Sequence, residues 1–107
     1  MKKIGIIALF CCSMLALPSV AFAHSAMCSC MDNGDETITC EGGFSDGSSA
    51  AGVVVRVVDK ETGEAITYGK MDEDGEYTFN KPSVPYKVIM DGGDGHTVEI
   101  DDGAILE

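Results

Sequence analysis

Short apolar segments at regular intervals constrain the fold of this chain most strongly. From residue 36 onward, about six short segments rich in Val, Ile, Thr, Tyr and Phe alternate with turn sequences that contain Gly, Asp and Asn. Residues 86–91 and 96–101 alternate apolar and polar side chains, the period of a half-buried strand, and no segment keeps a helical period. Such spacing is typical of small sandwiches and barrels. We predict an all-β, single-domain antiparallel β-sandwich.

Two segments refine this prediction. Residues 53–58 (VVVRVV) are apolar on both faces except at Arg56, which indicates a central strand. Residues 42–52 are rich in Gly, Ser and Ala, which predicts a loop, and the Asp74-Gly75 pair favours a tight hairpin turn. The strands are therefore expected to be joined by short connections.

The first 23 residues have the pattern of a secretory signal peptide. Lys2 and Lys3 precede an apolar run over residues 4–17, and Ala21 and Ala23 provide the small residues that signal peptidase requires. The apolar run is shorter than the roughly 20 residues that cross a bilayer. We predict a signal helix that is cleaved after Ala23, and a periplasmic or secreted chain with no stable membrane insertion.

Cleavage leaves a small and strongly acidic chain. Removing 23 of 107 residues leaves 84, with five basic residues against eighteen acidic ones, a formal charge of −13. Nucleic-acid binding depends on neutralising phosphates with Lys and Arg. The charge therefore argues against a nucleic-acid partner and favours a diffuse attraction for cations.

Cleavage also changes the cysteine count. Cys11 and Cys12 belong to the leader, so Cys28, Cys30 and Cys40 remain. An odd number in an oxidising compartment implies one disulfide with a spare thiol, an intermolecular bridge, or metal ligation. We expect either a disulfide that joins Cys40 to Cys30 or to Cys28, or a metal site.

Residues 24–35 show little β pattern, and we interpret them as an N-terminal head before a sandwich domain at 36–107. The head concentrates donors for soft or borderline metals, and after cleavage its first residue would also offer an α-amino group next to an imidazole. Thiolate and thioether donors suit Cu(I), and thiolate with imidazole suits Zn, Cu or Ni. The candidate ligands are His24, Cys28, Cys30, Cys40 and His96, with Met27 and Met31 as weaker candidates.

Catalysis has little support in the sequence. The serines lie in head or loop segments and none occupies a nucleophile elbow. No glycine-rich segment lies between a strand and a helix, so no nucleotide-binding fingerprint is present. We predict that the protein is not an enzyme.

The sequence of the predicted strands and turns resembles transthyretin-like (carboxypeptidase regulatory-like) β-sandwich domains. The opening of such domains is similar to residues 42–47 (GGFSDG) followed by residues 51–55 (AGVVV). It is also similar to residues 58–59 (VD) followed by residues 62–64 (TGE). Residues 69–79 (GKMDEDGEYTF) resemble their G-x-T-D-x-D-G-x-Y-x-F stretch, with Met71 where Thr is usual. This resemblance implies the sandwich fold and says little about function.

A narrower resemblance rests on residues 90–96 (MDGGDGH). Small exported domains that accompany cobalt and nickel uptake transporters often carry D-A-G-x-G-H at this place, and their mature chains often begin near A-H. This resemblance implies a non-catalytic metal-handling accessory whose partner is a membrane metal transporter. The alternative is a structural or adhesive sandwich module, stapled by a disulfide, with no metal role.

Overall fold

The computed structural model describes residues 25–93 and 95–107. The predicted leader, its cleavage site, His24 and Asp94 lie outside these residues. Within them, no helix is long and apolar enough to span a membrane. The elements are β1 (Ala26–Asp32), β2 (Thr37–Phe44), β3 (Val54–Asp59), β4 (Ala65–Lys70), β5 (Glu76–Asn80), β6 (Tyr86–Asp91) and β7 (Thr97–Asp101), with a short 3-10 helix over Asp102–Ala104.

The strands form two antiparallel sheets that pack face to face. One sheet has the order β1-β2-β5 and the other has the order β4-β3-β6-β7. This confirms the predicted antiparallel all-β sandwich. It also confirms that β3 is central, because β3 pairs with β4 on one side and with β6 on the other. The inward side chains of β3, Val55 and Val57, are buried, whereas Val54 and Arg56 on the other face are partly exposed.

The core lies between the two sheets and follows the two-residue period of the strands. Alternate residues of the inner strands point inward and are fully buried, with 0% of the side chain exposed. The four-stranded sheet contributes residues of β3 and β6, and the three-stranded sheet contributes residues of β2. These fully buried residues are Ile38, Cys40, Val55, Val57, Val88 and Met90.

The predicted head is a strand of the sandwich. Residues Ala26–Asp32 form β1, which pairs with β2 over its whole length. The turn after it closes a hairpin, where Gly34 has a φ of 80° and the Asn33 N–H donates to the Thr37 carbonyl at 3.0 Å. Met, Ser and Cys give little local strand preference, so partner contacts specify this strand. The expected boundary at residue 35 therefore lies inside a hairpin.

β2 ends at Phe44 and so includes the first three residues of the loop predicted over 42–52. A Cβ atom at Gly42 would lie 2.7 Å from Met71 Sδ and 2.9 Å from Met90 Sδ. The glycine therefore marks a close approach of two core side chains inside a strand. The expected loop begins only after Phe44.

The C-terminal segment closes part of the β1 edge. After the 3-10 helix, Leu106 pairs in parallel with Met31 of β1. The Asp32 N–H donates to the Leu106 carbonyl at 2.7 Å, and the Leu106 N–H donates to the Cys30 carbonyl at 3.1 Å. Residues 30–32 are thus paired, whereas no described strand pairs with residues 26–29 on that side.

We expect Ile38→Ala to lower the free energy of unfolding by about 2–5 kcal/mol, because it opens a cavity between the sheets. Ile66→Ala is the matched control, since Ile66 is 43% exposed on β4 whereas Ile38 is 0% exposed. It should cost clearly less. Urea unfolding of both variants measures the difference, and equal losses would contradict the assigned core.

Candidate metal centre

Cys30 and Cys40 form a disulfide between β1 and β2. The two residues are directly opposite in the strand register, with their Cα atoms 3.9 Å apart. The Cys30 carbonyl accepts from Leu106 on the far side of β1, so the backbone groups of Cys30 point away from β2. The pair is therefore a non-hydrogen-bonded one, the position at which antiparallel strands come closest. Backbone geometry thus brings the two cysteines within bonding reach.

Cys28 lies two residues before Cys30 and therefore on the same inward face of β1. It is half-buried and is the free cysteine of the described residues. The sulfur atoms of Cys28, Cys30 and Cys40 all lie within 4.8 Å of one another. We call these three residues the cysteine cluster. Burial raises the pKa of the Cys28 thiol from an ordinary 9.0 to about 11, because desolvation disfavours the thiolate.

Two further methionines lie near the cysteine cluster, and neither is among the ligands predicted from the sequence. Met71, 3% exposed, follows β4, and Met90, 0% exposed, lies in β6. Their sulfur atoms lie against the same point above Gly42, and Gly42 is directly opposite Cys28 in the register. We call Met71 and Met90 the methionine pair. The available sequence signal was Met71 at a position where the resembled domains usually have Thr.

The methionines predicted as weaker ligands are elsewhere. Met27 and Met31 alternate with the cysteines along β1, so they lie on the outward face of the sheet. They are 52% and 53% exposed. The structure therefore does not bring them together with the cysteine cluster.

Of the two predicted histidine ligands, His96 lies outside the cysteine cluster and His24 lies outside the described residues. His96 follows the turn between β6 and β7, and its ring meets the Phe44 ring edge-on with centroids 6.0 Å apart. Among the residues the structure describes, the cysteine cluster is the single group of His, Cys, Asp or Glu side chains close enough to hold a metal ion. His96 therefore stands apart from it. A role for His24 stays a prediction.

The chemistry of the cysteine cluster depends on its oxidation state. With the Cys30–Cys40 bond intact, Cys28 is the one cysteine of the cluster with a thiol. Two-electron reduction by a dithiol would give three thiols within ligand distance of a common ion. Thiolates are soft ligands that suit Cu(I) and Zn(II). The cysteine cluster can therefore cross-link β1 to β2 when it is oxidised, or bind a metal ion when it is reduced.

Comparisons with protein-family models, with curated proteins and with solved structures find no match for this chain. Fold and site together define it as a small antiparallel β-sandwich with a cross-strand disulfide and an adjoining free thiol. The resemblance to transthyretin-like domains and to transporter accessories stays a prediction.

We expect reduction of the disulfide to lower the free energy of unfolding by about 2–3 kcal/mol, because the cross-link restricts a short loop of the unfolded chain. Urea unfolding with and without dithiothreitol measures this loss. Cys28→Ser should lose as much as the wild type, whereas a Cys30→Ala/Cys40→Ala double variant should not respond to the reductant. A wild type that ignores dithiothreitol, although mass spectrometry shows it to be reduced, would contradict the stapling role.

We expect Cys28 to react slowly with iodoacetamide at pH 8. A pKa of about 11 instead of 9.0 leaves about a hundredfold less thiolate, and the rate should keep rising until the pH approaches 11. Mass spectrometry of timed samples gives the rates. The control is the same protein unfolded in urea with its disulfide intact, whose rate should level off near pH 9. A folded rate that also levels off there would show that the thiol is not desolvated.

Proposed function

We propose that the mature chain is an exported, non-catalytic metal-handling domain whose cysteine cluster binds a transition-metal ion and passes it to or from a membrane transporter. The observation that carries this proposal is the convergence of three cysteine sulfurs within 4.8 Å on one face of a sheet. Strands hold their side chains in fixed positions, which favours a preformed ligand set. No other group of His, Cys, Asp or Glu side chains in residues 25–93 and 95–107 has this geometry.

Metal binding by all three cysteines requires the reduced form of the cluster. A dithiol reductant would open the Cys30–Cys40 bond, becoming a disulfide itself and leaving two thiols on the protein. With Cys28, these would lose their protons as the ion binds, because the thiolate is the ligand. The ion would stabilise a Cys28 thiolate that desolvation otherwise disfavours. Redox state would thus control whether the site is available.

The nature of the donors narrows the choice of metal. The cysteine cluster contains sulfur alone, and His96 lies apart from it. Thiolates favour Cu(I) and Zn(II), whereas Ni(II) and Co(II) are commonly bound with imidazole. The sulfur ligands therefore support copper or zinc over the nickel or cobalt that the resemblance implies. An acidic chain would also attract cations from solution.

Export and a transporter partner belong to the proposal. Export is supported by the leader pattern at residues 1–23, and the partner is supported by the resemblance at residues 90–96. β1 offers an exit route, because Cys28 lies on the part of this edge strand that the C-terminal segment leaves uncovered. A partner could therefore approach Cys28 from the edge of the sheet.

A second candidate is a structural or adhesive sandwich module with no metal role. Two observations favour it: Cys30 and Cys40 are buried in the core as a disulfide, and the Cys28 thiol has a raised pKa. In that case the disulfide would serve only to hold β1 against β2. The two candidates differ in whether the reduced protein binds a metal ion.

We expect the reduced mature protein to bind one equivalent of Zn(II) or Cu(I), because three thiolates then face one point. Cys28→Ser should weaken this binding at least tenfold, a change of about 1.4 kcal/mol. Anaerobic titration against a chromogenic chelator measures the affinity, and native mass spectrometry gives the stoichiometry.

Two controls separate the cluster from other ligands. Met27→Leu/Met31→Leu alters the outward methionines and should leave the affinity unchanged, and His24→Ala removes chelation by the new N-terminal residue. If the reduced His24→Ala protein binds no metal, or binds it equally well after Cys28→Ser, the metal-handling proposal is wrong and the structural module is favoured.

A further inference from the structure

The methionine pair is held in place by the fold. The Met71 N–H donates to the Val53 carbonyl at 2.9 Å, and the Met71 carbonyl accepts from the Gly52 N–H at 2.8 Å. Met90 lies within β6, paired with Val55 on one side and with Val98 on the other. Both thioethers therefore reach the space above Gly42 from a backbone that is anchored on the opposite sheet.

Cys28 borders the same space. Opposite residues of an antiparallel pair have Cβ atoms about 4.5–5.5 Å apart, and an absent side chain at Gly42 leaves that volume to its neighbours. The two methionine sulfurs lie within 3 Å of where that Cβ would be, at 2.7 and 2.9 Å. The thiol of β1 and two thioethers, one from the residue after β4 and one from β6, thus border the same space, while Cys30 and Cys40 remain bonded to each other.

We propose that Cys28, Met71 and Met90 form a copper(I) site that is available while the Cys30–Cys40 disulfide is intact. This inference rests on the proposed metal-handling function and specifies its ion and its oxidised-state ligands. One thiolate and two thioethers are soft donors that suit Cu(I), whereas Zn(II) is bound in proteins by Cys, His and carboxylate ligands. Binding exchanges the Cys28 proton for the ion and transfers no electrons, so no reductant is needed.

The proposal gives a reason for two features of the interior. Leu would fill the same volume with better-defined rotamers, yet two methionines meet at one point. Gly42, within β2, is the residue directly opposite the free cysteine in the strand register. Core packing explains each methionine separately, and a shared ligand explains why their sulfur atoms meet at one point above Gly42.

The test uses the oxidised mature protein under anaerobic conditions, with Cu(I) supplied as its acetonitrile complex and a chromogenic Cu(I) chelator as competitor. We expect one equivalent to bind. Met71→Leu/Met90→Leu should weaken the affinity at least about tenfold, since even groups outside the ligand set can change metal affinity on that scale. Met27→Leu/Met31→Leu, the matched control on the outward face, should not change it.

A spectroscopic readout identifies the ligands directly. The mature chain has four methionines, so methyl-labelled protein should give four methionine methyl signals. Cu(I) should shift the signals of Met71 and Met90 and leave those of Met27 and Met31 in place. Zn(II) added to the oxidised protein should shift none of the four.

Neighbouring glycines provide a second pair of variants. Gly42→Ala places a methyl group where the two thioethers lie and must displace at least one of them, whereas a Cβ at Gly43 would meet no atom within 4 Å. Gly42→Ala should therefore weaken Cu(I) binding, and Gly43→Ala should not. Thermal unfolding checks that the variants fold, because exchanging Met for Leu usually costs less than about 1.5 kcal/mol.

Failure of this inference can be distinguished from failure of the metal-handling proposal. If the oxidised protein binds no Cu(I), or if Met71→Leu/Met90→Leu binds it as tightly as the wild type, the inference is wrong. Binding of Zn(II) by the reduced protein would then still support the three-cysteine site. Absence of metal binding in both oxidation states would overturn both proposals.

Discussion

The close approach of Cys30 and Cys40 across two antiparallel strands is the constraint on which the rest of the candidate site depends. β1 has weak strand-forming residues and lies at the edge of a three-stranded sheet. The covalent bond holds it against β2, and Leu106 hydrogen-bonds its other side. Once β1 is held in this register, the two-residue period turns Cys28 inward and Met27 outward. The position of the free thiol therefore follows from a bond that it does not itself make.

The second constraint is the lack of a side chain at Gly42. A glycine within a strand usually destabilises it, because it has no side chain to pack against its neighbours. Here its missing Cβ lets Met71 and Met90 of the opposite sheet reach the strand at the place that faces Cys28. The same atoms thus contribute to the core and to the candidate copper(I) site. Any ion held there would be positioned as rigidly as the core itself.

Local pattern predicted the central part of the fold. The apolar run at residues 53–58 and the alternation at 86–91 led to β3 and β6, since a strand buried on one or both faces carries its signal in its own residues. β1 was missed because its pairing, rather than its composition, makes it a strand. The cysteine pairing stayed open between two partners for Cys40, and the methionine pair was missed altogether. Contacts between residues 42, 71 and 90 depend on how two sheets pack, which no local window of sequence contains.

The disulfide bond and a metal ion compete for the sulfur atoms of Cys30 and Cys40. A buried disulfide between Cys30 and Cys40 stabilises the sandwich but removes two of the three thiolates from ligation. The methionine pair changes this relation, because thioethers neither oxidise to disulfides nor need to lose a proton. A site made of Cys28 and two thioethers would bind a soft ion while the Cys30–Cys40 disulfide stays intact. Stability and ligand binding would then conflict only when Cys30 and Cys40 serve as ligands, so the oxidised fold is the form in which both are compatible.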